Sequence, residues 1–455
     1  MTLPASGAIG LFDVNTELGF TNNAQIGMLC TSVRTLFGDA SGAVAMFDGY
    51  GKSNGFSMYA WGSAGCGQLG GNLNGSCLSG LAKCYKIYTS PRQVNGGGWT
   101  KVIAGSNALA QKANGSLWTW GKNNSFSGTI ANNDGTLGVG FTAKQSVSSP
   151  IQVGSLTNWS SKFAKDGCFP YMGLAIKNDG TLWGWGINGV CGATKGFFDS
   201  GGCSSPISYQ SPVQIGSSTW QAIASSAYTI AGIKTDGTLW AWGASTSNLT
   251  GGSGCFRTSA NARQITTGTG CCGGKWTNII GSGYYSYYAQ RCDGTLWAWG
   301  NNSNGQLGYS AHGTWGSLKQ IGALTTWRMD NVQRQGQQFA IFIKTDGTMW
   351  GWGRNDVNQL GIGHTYSTSS AGNSPIQIGS SSNWDSVATG NYLGMALKTD
   401  GTLWGWGNCN YGFLACGGPV CSASPYSVPT QVNSCTFRSN SLSYSVCSTV
   451  GMALK

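Results

Sequence analysis

Residues 398–407 read Lys398-Thr399-Asp400-Gly401-Thr402-Leu403-Trp404-Gly405-Trp406-Gly407, and the fold is read from this string. An Asp-Gly pair between two short apolar runs signals a hairpin, because these residues adopt the positive backbone angles of a tight turn. The run before it, Gly394-Met395-Ala396-Leu397-Lys398, and the run after it are strand-sized, which makes them antiparallel neighbours. The alternation of the second run is read as placing Leu403 and Trp406 on one face and Trp404 on the other, so that both faces carry bulk. A sheet with two apolar faces has to be sandwiched between others.

Working outward, the same string or a close relative occurs at 114–121, 179–186, 236–243, 293–300 and 346–353, with Met58-Tyr59-Ala60-Trp61-Gly62 as a degenerate seventh copy. The closing glycines, at 62, 121, 186, 243, 300, 353 and 407, are spaced by 53 to 65 residues. Two further motifs keep the same count. Ser90-Pro91-Arg92-Gln93-Val94 recurs from 149, 211 and 374, with looser forms from 262, 318 and 428. A tryptophan then opens a short β-like run, at Trp99, Trp159, Trp220, Trp276, Trp327 and Trp384, with Cys435 to Phe437 standing in the seventh. Each unit therefore supplies about four strands, and such units bury their faces only by stacking on one another. The last residues, Val450 to Lys455, form the strand that elsewhere precedes the turn, and Ser53 to Gly62 reads as its missing continuation. One sheet completed from both ends closes a ring and removes open edges. The expectation is an all-β chain: a seven-bladed β-propeller over 53–455, closed by N- and C-terminal strands and preceded by a small N-terminal anchoring module, 1–52.

Composition narrows the chemistry. The 455 residues include 74 glycines, 20 tryptophans and 16 cysteines but only 9% charged residues, with two histidines (His312, His364) and one glutamate (Glu17). Acid–base machinery is poorly supplied, so no enzyme and no catalytic residue is expected, and no cofactor. The aspartates outside the turns, Asp134, Asp166, Asp199, Asp330, Asp356 and Asp385, leave a sugar-cleaving pair as the alternative. Cysteines do not form Cys-x-x-Cys pairs, so no metal site is expected. They cluster at loop distances, as in Cys66, Cys77 and Cys84, Cys191 and Cys203, Cys255 with Cys271 and Cys272, Cys409 with Cys416 and Cys421, or Cys435 and Cys447, which suits disulfide staples as well as it suits free buried thiols. No apolar run approaches the ~18 residues of a membrane span. The first residues lack a basic region, so neither a cleaved leader nor membrane insertion is expected and the chain reads as soluble.

Nineteen of the tryptophans belong to the repeat and are assigned to packing. Trp315, in His312-Gly313-Thr314-Trp315-Gly316, stands outside it and is the surface candidate. The net charge is +11, and seven basic residues, Lys112, Lys177, Lys234, Arg291, Lys344, Lys398 and Lys455, close equivalent strands and form a ring. No local basic run resembles a nucleic-acid arm, so attraction to anionic surfaces is expected and nucleic-acid binding is not. Six places before those basic residues lie Ser106, Tyr171, Tyr228, Tyr285, Gln338, Tyr392 and Thr449. The four tyrosines, Tyr171, Tyr228, Tyr285 and Tyr392, are candidates to line one mouth of the axial channel and hold a ligand, with packing between blades as the competing reading; Tyr284, Tyr287 and Tyr288 thicken the cluster. The long irregular segments after each Trp-Gly strand should share one face, where recognition surfaces are commonly built.

The units, with Gly67-Gln68-Leu69-Gly70 and Asn304-Gly305-Gln306-Leu307-Gly308 after the Trp-Gly strand, resemble the repeats of the regulator of chromosome condensation family. The resemblance implies a seven-bladed propeller used as a binding platform. Members of that family act on small GTPases and chromatin in eukaryotes, and their contact residues are not carried over. Residues 1–54 are similar to the short N-terminal module of tailed-bacteriophage structural proteins, through Leu3-Pro4-Ala5-Ser6-Gly7, Asp13-Val14-Asn15, Val33-Arg34 with Leu36-Phe37-Gly38, and Tyr50-Gly51-Lys52-Ser53. That similarity implies a virion structural protein made in the host cytoplasm and placed in the phage tail as fibre, spike or baseplate. Its partners would be other virion tail proteins through residues 1–52 and a host cell-surface glycan or protein through the propeller, with homo-oligomers in the virion. The alternatives are an envelope-polysaccharide-degrading tail enzyme and a propeller module of a bacterial surface protein.

Overall fold

The computed structural model describes residues 55–63, 67–71, 87–123, 135–140, 146–165, 172–188, 208–226, 229–243, 259–265, 274–283, 285–309, 313–330, 332, 335–336, 338–366, 372–408, 426–444 and 450–455. The expected N-terminal module, 1–52, lies outside them. Every element named among the described residues is a β-strand. In the unit around residue 400, Trp384–Thr389, Leu393–Lys398, Thr402–Gly407 and Tyr426–Thr436 form an antiparallel sheet in chain order. The same order recurs in the sheets that begin at Trp99–Ile103, Trp276–Gly281 and Trp327–Arg328. This repeated four-stranded sheet, stacked on its neighbours, makes an all-β propeller.

The Asp-Gly turn is built differently from the expectation. Only its glycine takes a positive φ, +78° at Gly347, while Asp346 does not. Gly347 N–H donates to the Lys344 carbonyl at 3.0 Å, and Lys344 N–H donates to the Thr348 carbonyl at 2.9 Å. That is a three-residue connection in which one turn is followed by a left-handed glycine, so a single special residue suffices. The aspartate is freed for another role. A Cβ at Gly347 would lie 2.0 Å from the Ser382 carbonyl, so the turn also packs too closely for any other side chain.

The faces of the Trp-x-Trp strand also need correcting. Side chains alternate with period two, so the two tryptophans share a face and the leucine takes the other. Trp118 and Trp120 pack with Trp99 in one cluster, while Leu117 packs with Trp159 and Trp185 of the next unit. Leu239 likewise meets Trp276 and Trp299, and Leu182 meets Trp220 and Trp242. Each unit thus inserts its leucine among the tryptophans of the next, and burying such a side chain stabilises by roughly 1.5–3 kcal/mol. The second tryptophan lies flat on its own sheet: a Cβ at Gly394 would sit 2.3 Å from the Trp406 ring, which explains the small residue there.

The described strands fall into six sheets. Five have four strands. The sixth has seven, because the 19-residue strand Ser208–Ser226 closes one unit and opens the next. Its first part pairs with Thr181–Ile187, as in Gln214 with Trp183, and its last part pairs with Thr229–Lys234, as in Ser225 with Ile230. The ring is closed by the ends of the chain. Met58–Ser63 pairs with Val450–Leu454, from Met58 opposite Leu454 to Gly62 opposite Val450, in a sheet completed by Ile87–Gln93 and Ser443–Tyr444. Lys455 N–H donates to the Ser57 carbonyl at 2.8 Å and extends the seam. In this sheet Phe437 occupies the place of the opening tryptophan, since its N–H reaches Gly401 as Trp384 N–H reaches Gly347.

Of the cysteine clusters only one member, Cys435, is described, and it is a free thiol, which removes the Cys435–Cys447 staple. Cys292, which was assigned to no cluster, is disulfide-bonded to a partner outside the described residues.

Candidate functional site

The basic residues that end the second strands are not a ring of free charge. Lys398 Nζ lies 3.9 Å from the Trp404 ring and 5.1 Å from Trp384. Lys344 lies 3.5 Å from Trp350 and 5.4 Å from Trp327, and Lys112, Lys177, Lys234 and Arg291 are held between the equivalent pairs. Lys455 lies 5.9 Å from the Tyr59 ring. The turn residues fix the ring that the cation faces. Asp346 Oδ1 accepts from the Thr348 N–H at 2.9 Å and hydroxyl at 2.6 Å, and Thr348 Oγ1 accepts from Trp350 Nε1 at 2.9 Å. The relay recurs at Asp179, Asp236, Asp293 and Asp400, and Asn114 serves in its place in one unit. Threonine donors hold the Asp179, Asp236, Asp346 and Asp400 carboxyls below the usual range. Burial pulls Lys112 and Lys344 below theirs. The sequence contained both tryptophans and the lysine, but their convergence needs the strand pairing. Indole faces hold these cations and make them part of the fold, while the net charge of +11 remains.

The opposite end carries the tyrosine positions. The carbonyls of Ser106, Tyr285, Gln338 and Tyr392 accept the N–H of Lys122, Asn301, Arg354 and Asn408, the residues that follow each Trp-Gly, at 2.8–2.9 Å. In these four units the position lies beside the first residue of the long segment. Tyr171 and Tyr228 lie outside the described residues. Tyr285 has φ +56° and packs partly against the cluster of Tyr287 and Trp299, whereas Tyr392 is 45% exposed. Tyr287 and Tyr288 belong to the core rather than to a surface cluster: both are fully buried, and their hydroxyls donate to the Thr229 and Gln306 carbonyls.

Two neighbouring units meet at this mouth around one guanidinium that sequence reasoning missed. Arg354 donates to Asp356 at 2.8 and 2.5 Å and to the Gln338 side chain, and stands 5.9 Å from the Tyr392 ring. The bond to Asp356 raises the Arg354 pKa. Burial pushes Asp356 up, but hydrogen bonds from Arg354 and Gln359 outweigh it and hold the carboxyl low. The result is a pinned, charged and aromatic patch at the start of a long loop. Trp315, expected in a loop, is on a strand. It lies in Thr314–Gln320, opposite Gly300, where other units place Tyr88, Tyr209 and Tyr426 opposite their glycines. It therefore belongs to the repeat.

Between the two ends the first strands line a bore of about 440 Å³. Lys101, Lys162, Asn278, Asp330 and Arg438 reach it; the described tyrosines do not. Asp134, Asp166 and Asp199 lie outside the described residues. Asp330, Asp356 and Asp385 have separate partners: Arg328 at 3.5 Å, Arg354, and Ser439 Oγ with Asn440 N–H at 2.7 and 2.9 Å. No group of three or more histidine, cysteine or acidic residues suited to a metal occurs among the described residues.

Residues 346–397 match the Regulator of chromosome condensation (RCC1) repeat. The fold is an RCC1-like all-β propeller. It is similar to Prp20p of Saccharomyces cerevisiae, with a TM-score of 0.66 at 17% identity over 88% of this chain and 91% of that one, and to human WBSCR16, at 0.62, 16%, 88% and 98%. A second yeast Prp20 structure, bound to Kap60, matches at TM-score 0.67 and 17% identity, covering 88% and 89%. Among curated proteins, the mitochondrial RCC1 domain-containing protein RUG3 of Arabidopsis thaliana is 27% identical over 55% of this chain. The probable E3 ubiquitin-protein ligase HERC6 of Homo sapiens is 32% identical over 31%. The chain spans 51% of the first and 14% of the second. What this chain shares with them is the similarity of its repeats.

Proposed function

We propose that this chain is a structural protein of a tailed-bacteriophage virion, fixed to a tail fibre, spike or baseplate by residues 1–52 and displaying a seven-bladed propeller that binds the host surface at its loop end. The blade count follows if the strand Ser208–Ser226 is divided between two blades. The attachment half rests on the similarity of residues 1–54 to phage tail modules. The binding half rests on one observation: Arg354, clamped between Gln338 and Asp356 beside the exposed Tyr392, at the end where every long loop begins. A repeated scaffold with pinned polar anchors at one end suits recognition, not turnover. The structures of yeast Prp20p, described with its binding to Gsp1p and histones and with Kap60, are of a propeller that engages other proteins. A host surface protein is therefore the first partner to test, and a glycan the second.

The experiment is proteomics and immunogold imaging of purified particles with an antibody to the propeller. The expected result is the chain in stoichiometric amount with gold at the tail. Particles lacking the chain while the lysate contains it would contradict the proposal, and would favour a bacterial surface protein.

A further inference from the structure

The bore holds cations that no described carboxylate neutralises, although Arg438 lies 4.0 Å over the Phe56 ring. Lys101, on Trp99–Ile103, and Lys162, on Trp159–Lys165, stand on the first strands of adjacent units, and Arg438 enters from the closing sheet. Lys101 Nζ donates to the Ser161 carbonyl at 2.7 Å and lies 5.1 Å from the Phe163 ring. Among the described residues no carboxylate lies within ion-pair distance of Lys101, Lys162 or Arg438, and the one acidic group of the wall, Asp330, is paired with Arg328. The Ser225 hydroxyl, also on the wall, is buried with no hydrogen-bond partner. Three cations and an unanswered hydroxyl thus face one polar cavity.

We propose that the bore is a binding site for a small organic oxyanion, a carboxylate- or phosphate-bearing molecule the size of a sugar acid. The volume of about 440 Å³ falls in the lower part of the ~300–1,000 Å³ range of small-molecule sites. A nucleic-acid strand would need stacking platforms, and among the described residues Phe163 is the sole aromatic of the wall. The electrostatics agree: desolvation in the bore, and then the charge of Lys162, pull Lys101 down to about 8. An anion between the two ammonium groups would reverse that penalty, as burial and like charge disfavour the protonated form and opposite charge restores it. The site is separate from the loop end and does not depend on the virion reading.

The test is calorimetry on the full chain with glucuronate and with inorganic phosphate, and with glucose as the uncharged control. Saturable binding of either anion but not glucose is expected, accompanied by a rise in melting temperature. Lys162→Gln should weaken it at least tenfold, while Lys275→Gln, outside the bore, leaves it unchanged. Glucuronate keeps one charge between pH 7 and 9, so its affinity should fall over that interval as Lys101 loses its proton. Circular dichroism and melting curves establish that Lys162→Gln is folded; should it fail to fold, the pH dependence of the unaltered chain decides. No saturable binding of either anion, equal affinities in the two variants, or glucuronate binding that does not change with pH would overturn the proposal.

Discussion

Lys398 and Lys162 are both strand lysines, yet their surroundings are opposite. Lys398, at the Asp-Gly end, is held by two indole rings at 3.9 and 5.1 Å, over a threonine and aspartate relay that recurs around the molecule. Lys162 is exposed to the bore and, among the described residues, has no ring or carboxylate of its own. The comparison teaches where the repeat has spent its charge. A position that every unit fills identically is answered by the unit itself, so it builds the fold. The first-strand position of Lys101, which Arg328 and Arg438 fill in other units, is answered differently from unit to unit, and at Lys101 and Lys162 no carboxylate answers it among the described residues, which leaves room for a ligand.

The sharpest way to break the comparison is at the turn itself. Gly347→Val combines a forbidden positive φ with a backbone collision at the Ser382 carbonyl, and should cost about 3 kcal/mol or more in denaturant unfolding. A variant near wild-type stability would mean that the Asp-Gly end is not the rigid part. Lys398→Met keeps the apolar stem and removes only the charge between the rings; a loss of about 1 kcal/mol is expected. The mouth should behave otherwise. Arg354→Met removes a partly exposed pair worth about 0–1 kcal/mol, so stability should barely move, while adsorption of particles to host cells should fall at least tenfold. If Arg354→Met unfolds the chain without altering adsorption of the folded fraction, the two ends have been assigned the wrong way round.

The smallest effect is one of pH. The turn carboxyls are held below their unfolded values, so their stabilisation is complete above the unfolded aspartate pKa of about 3.9 and is lost as pH falls through the folded values. Asp346→Asn should change stability little at pH 7, as Asn114 already serves in one unit, and should flatten the acid loss in melts between pH 5 and 2. An unchanged acid profile would show that the relay does not titrate with the fold.

Much of this was legible in the string around residue 400. Period, hairpin, strand order and the pairing of the two chain ends all follow from where Asp-Gly and Trp-Gly recur, because turn chemistry and pleat are local. What failed was of two kinds. Leu403 and Trp406 were assigned one face although i and i+3 have opposite parity, and the turn was assigned two special residues where one suffices. Trp315 looked solitary because its unit lacks the Ser-Pro landmark, and only pairing with Gly300 revealed its place. The rest was not local at all. The aromatic grip on the basic ring, the approach of Gln338, Arg354 and Tyr392, and the facing of Lys101 and Lys162 across adjacent strands each join residues from different strands or units. No spacing along one chain reports them.

Competitive acetylation of lysines in the native chain at pH 8, read site by site by mass spectrometry, tests the division between the two ends most directly. Lys275, exposed just before the strand Trp276–Gly281, sets the reference rate. Lys162 should match it, Lys101 should equal or exceed it because its lowered pKa leaves more free amine, and Lys344, 7% exposed between Trp350 and Trp327, should react at least tenfold more slowly. Equal rates at Lys344 and Lys275, with Lys101 and Lys162 unreactive, would contradict the account.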